Sequence, residues 1–135
     1  MIKKKFTVPI YNWNILVYIC EYTSDYDELR KELKRNSEDV KQNDLILKEI
    51  DDGCHSGGWT LTYEGMQKCV IVVYPHFHKC KLVETLFHEK RHVEDRIVKH
   101  HSVDDFESSA MLAGYLAKEL YPLIEKFKEP IASEK

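Results

Sequence analysis

A chain of 135 residues, 43% hydrophobic and 32% charged, suits one globular domain with one core and leaves no room for a second catalytic lobe. Its net charge of −3 excludes a broad cationic surface, so no nucleic-acid partner is expected. Pro9, Asn12 and Asn14 interrupt the N-terminal apolar stretch; a secretory leader and a membrane span are not expected, and a cytoplasmic protein is.

In chain order, residues 6–10 and 15–22 are rich in β-branched and aromatic side chains and read as strands, with an irregular crossing between them. The preceding Lys3, Lys4 and Lys5 read as a solvated terminus. Ser24, with Asp27 three residues on and Leu29 and Leu33 on one face, predicts a helix N-cap and a helix reaching about residue 34 or 35. Residues 36–57 are polar and ambiguous, with 45–50 either a short strand or a helical turn. The clearest hairpin follows. Residues 58–63 alternate, 64–67 turn, and 69–74 are almost continuously apolar, as expected of a central strand. Two helices then run from about 81 to 99 and from about 104 to 121. Ser102 and Asp105 form a capping-box-like start to the second, Pro122 ends it, and a short helical tail covers 123–128. The order predicts an α+β domain with a small antiparallel or mixed sheet packed on the two helices.

The segment that carries chemistry is His88-Glu89-Lys90-Arg91-His92, an HExxH pattern. Residues four apart share one helix face, so two imidazoles converge on one tetrahedral metal, with zinc the expected ion. The intervening glutamate reaches a water molecule rather than the ion. The helix has the right polarity for this. Leu82, Val83, Leu86, Phe87, Val93, Ile97 and Val98 fall on one side, and His88, His92, Asp95 and Lys99 on the other. Lys90 interrupts the apolar side. Asp95 is a candidate to orient a ligating imidazole. A third ligand is sought on the next helix. Glu107 shares a face with Ala110 and Gly114, small residues that would permit close helix contact, while Asp104 and Asp105 compete for the role.

His88, Glu89 and His92 on one helix, with Glu107 and Ala110 in an ExxA setting on the next, resemble the gluzincin type of zinc metallopeptidase over roughly residues 58–121. The resemblance implies zinc bound by His88, His92 and Glu107, with Glu89 as general base and acid. It also implies an upstream edge strand lining the substrate cleft, matched here by Trp59, Thr60, Leu61, Thr62 and Tyr63. The variable pair, Lys90-Arg91, departs from the small or apolar residues usual there, and Val98 holds the position of the third metzincin histidine.

The expected function is therefore hydrolysis of a peptide bond in a peptide or protein substrate. The alternative is a catalytically inactive module of the same build that binds a protein partner through the sheet edge. The remaining candidates have blander readings. His76, His78 and Cys80 lack a spaced fourth ligand. His100 and His101 suit the negative end of the helix dipole, or else face an oxyanion in the cleft. Cys20, Cys54, Cys69 and Cys80 form no CxxC pair and read as free thiols.

Overall fold

The computed structural model describes residues 1–36, 40–52 and 57–129. Strand β1 (Ile2–Val8) pairs antiparallel with β2 (Trp13–Ile19), Ile2 lying opposite Ile19 and Val8 opposite Trp13. Strand β3 (Gly58–Tyr63) pairs antiparallel with β4 (Lys68–Val73), which runs parallel to β2. The sheet order is β1-β2-β4-β3, so the sheet is mixed and β3 is an outer strand. β2 and β4 are central, and their near-continuous apolar sequences follow from being covered on both faces.

Four helices cover the two faces: α1 (Tyr26–Asn36), α2 (Val40–Asp52), α3 (Lys79–His100) and α4 (Phe106–Lys126). Alternate residues of the central strands point to opposite layers. Ile15, Val17, Ile19, Cys69, Ile71 and Val73 pack with Leu82, Leu86, Val93 and Ile97 of α3 and with Leu112, Leu116 and Leu120 of α4. Leu16, Tyr18, Val70 and Val72 pack with Leu29 and Leu33 of α1 and Ile46 and Ile50 of α2. The result is an α+β domain of three layers.

Several boundaries differ from the sequence expectation. β1 begins at Ile2, and the three lysines are strand residues. Lys3 reaches Glu28 of α1 at 2.8 Å, whereas Lys4 reaches Glu119 of α4 at 2.9 Å, as the twofold alternation of a strand requires. Ser24 sits in a 3₁₀ turn (Thr23–Asp25) instead of capping α1, and the Asp25 carboxylate accepts the backbone N–H groups of Glu21 and Tyr22 at 2.8 and 3.1 Å. Residues 45–50 belong to a helix of 13 residues, α2, held by Ile46 and Ile50. Asp105 is the N-cap of α4 and accepts the Ser108 N–H at 2.8 Å. That helix continues through Pro122, because Leu120, Leu123, Ile124 and Phe127 are all buried and hold both sides of the proline.

The two C-terminal helices divide the sheet between them. α3 packs on β3, β4 and α4, whereas α4 packs on α3 and β1. One flank of α3 therefore meets α4, and the other faces the outer strand β3. No helix among the described residues is long and apolar enough to cross a membrane.

Candidate metal centre

The β3 flank of α3 carries the HExxH residues. Leu82, Leu86, Val93 and Ile97 point inward and are fully buried, while His88 and His92 lie on the exposed side. Glu89 falls between the two directions and is 5% exposed. Together, His88, Glu89 and His92 place one ligand atom each within 4.8 Å of one another, the metal-ligating group found among the described residues. A groove of about 500 Å³ opens over them, bounded by Gly58, Trp59, Thr60 and Thr62 of β3 and by Glu84, Thr85 and Arg96 of α3.

The donor set fits a tetrahedral ion. The Nε2 atoms of His88 and His92 lie 3.3 Å apart, with the two rings 82° from coplanar. At Zn–N distances of about 2.0–2.1 Å, two ligand nitrogens of a tetrahedron stand roughly 3.3–3.4 Å from each other. The chain thus presents a His-Glu-His group that could hold a metal ion.

Glu89 is set in place by the edge strand. Its Oε2 lies 3.2 Å from the Thr60 hydroxyl, which is also 3.3 Å from the Glu89 main-chain carbonyl. β3 comes this close to α3 because its first residue, Gly58, has no side chain. A Cβ on Gly58 would lie 2.9 Å from the Val72 carbonyl oxygen, 3.0 Å from Thr85 Cγ2 and 3.2 Å from Glu89 Cγ. Gly57 adopts φ +93°, a conformation that glycine takes without strain. Thr85 is itself tied down. His76 donates from Nδ1 to the Tyr74 carbonyl at 2.6 Å and accepts the Thr85 hydroxyl on Nε2 at 3.0 Å. Sequence reasoning places Thr60 on the substrate edge strand but not as the brace of Glu89, and it does not single out Gly57, Gly58, Thr85 or His76 for this site. The legible signal is the glycine pair at the start of the predicted strand 58–63.

Glu107 does not join the group. It lies in the first turn of α4 and is exposed, as are Ala110 and Gly114 on the same face. A Cβ at Gly114 would meet nothing within 4 Å, so these small residues are not a helix-packing surface. The reason is positional: α4 packs on the β1 side of α3, and the histidines look toward β3. Of the competing aspartates, Asp105 caps α4 and Asp104 is exposed, and neither belongs to the His-Glu-His group.

Asp95 pairs with Arg91 (Nε to Oδ1, 3.1 Å) rather than orienting an imidazole. Lys90 is only 12% exposed because Glu94, one turn on and equally buried, meets its ammonium at 2.6 Å. Phe87, placed on the apolar side by pattern, is 38% exposed, its ring 5.5 Å from the Lys90 nitrogen. Of the strand 58–63, Thr60 and Thr62 face the groove and Trp59 borders it, while Leu61 and Tyr63 pack in the α1/α2 layer. His101 accepts the Trp13 indole N–H on Nε2 at 2.9 Å, and His100 approaches Glu64 at 3.8 Å. His78 is the N-cap residue of α3 without a side-chain cap, and Cys80 is exposed. Cys20 and Cys69 are buried free thiols, and Cys54 lies outside the described residues.

No family model matches the chain, and neither a curated protein nor a solved structure matches it.

Proposed function

We propose that this protein is a zinc-dependent peptidase that uses His88 and His92 as metal ligands and Glu89 as general base. The observation that carries the reading is the placement of one buried carboxylate beside two imidazole nitrogens 3.3 Å apart, all opening on a groove walled by an outer strand. Zinc bound there would supply Lewis acidity, polarising a carbonyl and making water a better nucleophile at neutral pH.

The remaining work falls to side chains of the chain itself. Glu89, braced by Thr60, takes a proton from the attacking water as the oxygen–carbon bond forms. It returns that proton to the departing amine nitrogen as the carbon–nitrogen bond breaks. The open side of β3 pairs with an extended peptide through main-chain hydrogen bonds, setting the peptide across the groove. A catalytic zinc takes three protein ligands in most such sites. Glu84 lines the same groove one turn before His88, its carboxylate 3.2 Å from the Lys81 ammonium, and would supply the third ligand by turning toward the histidines. The gluzincin-type assignment loses the support of Glu107 and is not needed for this mechanism.

A second reading rests on one observation. The described residues bring together two imidazoles and one carboxylate, not three ligands and a separate base. In that reading, β3 binds a partner strand and nothing is cut. The experiment that separates the two is zinc analysis of the purified chain, combined with digestion of a mixed peptide library by the chain and by Glu89→Gln. Zinc-dependent products that vanish in the variant support the peptidase. Stoichiometric zinc without products supports the binding module. Absence of zinc, together with a His88→Ala variant unchanged in metal content and stability, removes both the ion and the enzyme.

A further inference from the structure

The groove continues past the histidines. Arg96, one helical turn beyond His92, lines it and also lines an adjoining hollow of about 440 Å³ with Leu45, Trp59, Thr60, Thr62 and Glu64. Glu64, in the turn between β3 and β4, meets Arg96 through Oε1 at 3.3 Å, and both side chains are half exposed. The same carboxylate approaches His100 at 3.8 Å through its other oxygen. A guanidinium carries five N–H donors in a fork that matches a carboxylate with two parallel hydrogen bonds. Among the described residues, the long contact to Glu64 uses little of that capacity, and the fork stands at the end of a groove whose other polar groups are hydroxyls, imidazoles and carboxylates. Trp59 and the exposed Leu45 give the hollow an apolar wall, suited to the methylene groups that carry a side-chain carboxylate.

We propose that Arg96 is a specificity residue that recognises a carboxylate of the peptide substrate two to three residues from the bond that is cut, Glu64 holding its guanidinium until the substrate displaces it. The spacing follows from the helix. Arg96 lies six residues past the midpoint of His88 and His92, about 9 Å along α3, and an extended peptide covers that distance in roughly two to three residues at about 3.3 Å each. The carboxylate comes either from an aspartate or glutamate side chain or from the free C-terminus. This inference rests on the peptidase reading of the groove.

The two variants Arg96→Gln and Glu64→Gln test it because the proposal moves them in opposite directions. The zinc-loaded full chain is assayed on matched peptides that are neutral, that carry one Asp or Glu at each position up to three from the cleaved bond, or that end in a free acid or an amide. The expected result is a kcat/KM on the order of 10- to 100-fold higher for the peptide with a carboxylate at the favoured position, the size of a charge-assisted contact. Arg96→Gln abolishes that ratio, and Glu64→Gln raises it severalfold. Binding of the same peptides to Glu89→Gln, followed by calorimetry, shows the same ranking in Kd without turnover. A preference lost on amidation assigns the carboxylate to the C-terminus; one retained assigns it to a side chain. Equal cleavage of acidic and neutral peptides, or a preference that survives Arg96→Gln, overturns this inference alone. Two variants that lose the ratio together mark the pair as a structural ion pair and also overturn it. If no peptide is bound or cut, the peptidase reading falls first.

Discussion

The Thr60 hydroxyl of the outer strand lies 3.2 Å from the Oε2 of Glu89, so the element that would pair with a substrate also fixes the group that would move the proton. A buried carboxylate held by one neutral hydrogen bond keeps its other oxygen available to the groove. Glu89→Gln keeps the shape and removes the base. The expected outcome is unchanged zinc stoichiometry and a kcat lower on the order of 10²- to 10⁴-fold. Thr60→Val is expected to keep zinc as well, to lose about 1 kcal/mol of stability, and to lower kcat by less than Glu89→Gln does. Zinc lost from Glu89→Gln would make Glu89 a ligand instead of a base.

Metal affinity separates the two carboxylates considered for the third ligand. Glu107 sits on the exposed face of α4, across α3 from the histidines, whereas Glu84 lines the groove with them. Glu107→Ala is expected to leave the zinc dissociation constant within about twofold of the parent, and Glu84→Ala to weaken binding by at least about tenfold. Competition with a chromogenic chelator measures both. The opposite ranking would restore Glu107 and require α4 to shift so that its first turn reaches the histidines.

What was legible in the sequence was local. The HExxH helix, the hairpin ending in a central strand and the α+β class all follow from periods of 3.6 or 2 within one element. What was not legible depended on which elements become neighbours. The face of Glu107, Ala110 and Gly114 has the composition of a packing surface, but α4 packs through Leu112, Leu116 and Leu120 instead. Lys90 breaks the apolar side by pattern, and its place there depends on Glu94 buried beside it. α2 is obscured because the apolar cluster Leu45-Ile46-Leu47 shows no clear period, and of its hydrophobic residues Ile46 and Ile50 find cover only once β2 and β4 have formed the opposite wall. The support from His76 through Thr85 spans 9 positions and two elements, with no spacing rule to reveal it.

The buried thiols give the stability a direction with pH. Burial pushes both Cys20 and Cys69 up to about 12. In the unfolded chain a cysteine ionises near its ordinary value of roughly 8.5. Between that value and about 12 the unfolded state binds fewer protons than the folded one, so stability is present below about pH 8.5 and falls as pH rises through this window. Each thiol contributes a slope of at most about 1.4 kcal/mol per pH unit. Chemical denaturation at intervals from pH 7 to 10.5 measures it, and Cys20→Ala or Cys69→Ala should flatten the curve. Alkylation of the native chain at pH 8, mapped by peptide mass, should label Cys80 while sparing Cys20 and Cys69.

Two glycines offer the most direct check of the packing that builds the groove, because alanine at each should act with opposite sign. At Gly58 a methyl group would lie 2.9 Å from the Val72 carbonyl oxygen, 3.0 Å from Thr85 Cγ2 and 3.2 Å from Glu89 Cγ. All three contacts are tighter than ordinary van der Waals packing, and the first is with a backbone oxygen, which cannot rotate away. β3 would have to step back from α3, so Gly58→Ala should cost about 1–3 kcal/mol. It should also lengthen the Thr60–Glu89 contact and reduce turnover more than its loss of stability explains at a temperature where the variant is fully folded. At Gly114 the methyl group would meet nothing within 4 Å, in the interior of α4. There the main effect is a lower backbone entropy of the unfolded chain and better helix propensity, so Gly114→Ala should stabilise by about 0.5–1 kcal/mol and leave zinc binding unchanged. Urea denaturation of the two variants beside the parent decides the matter. A destabilised Gly114→Ala would mean that α4 turns this face toward another element. A neutral Gly58→Ala would mean that β3 stands farther from α3 than these contacts require, and that Glu89 at the floor of the groove is not braced by Thr60.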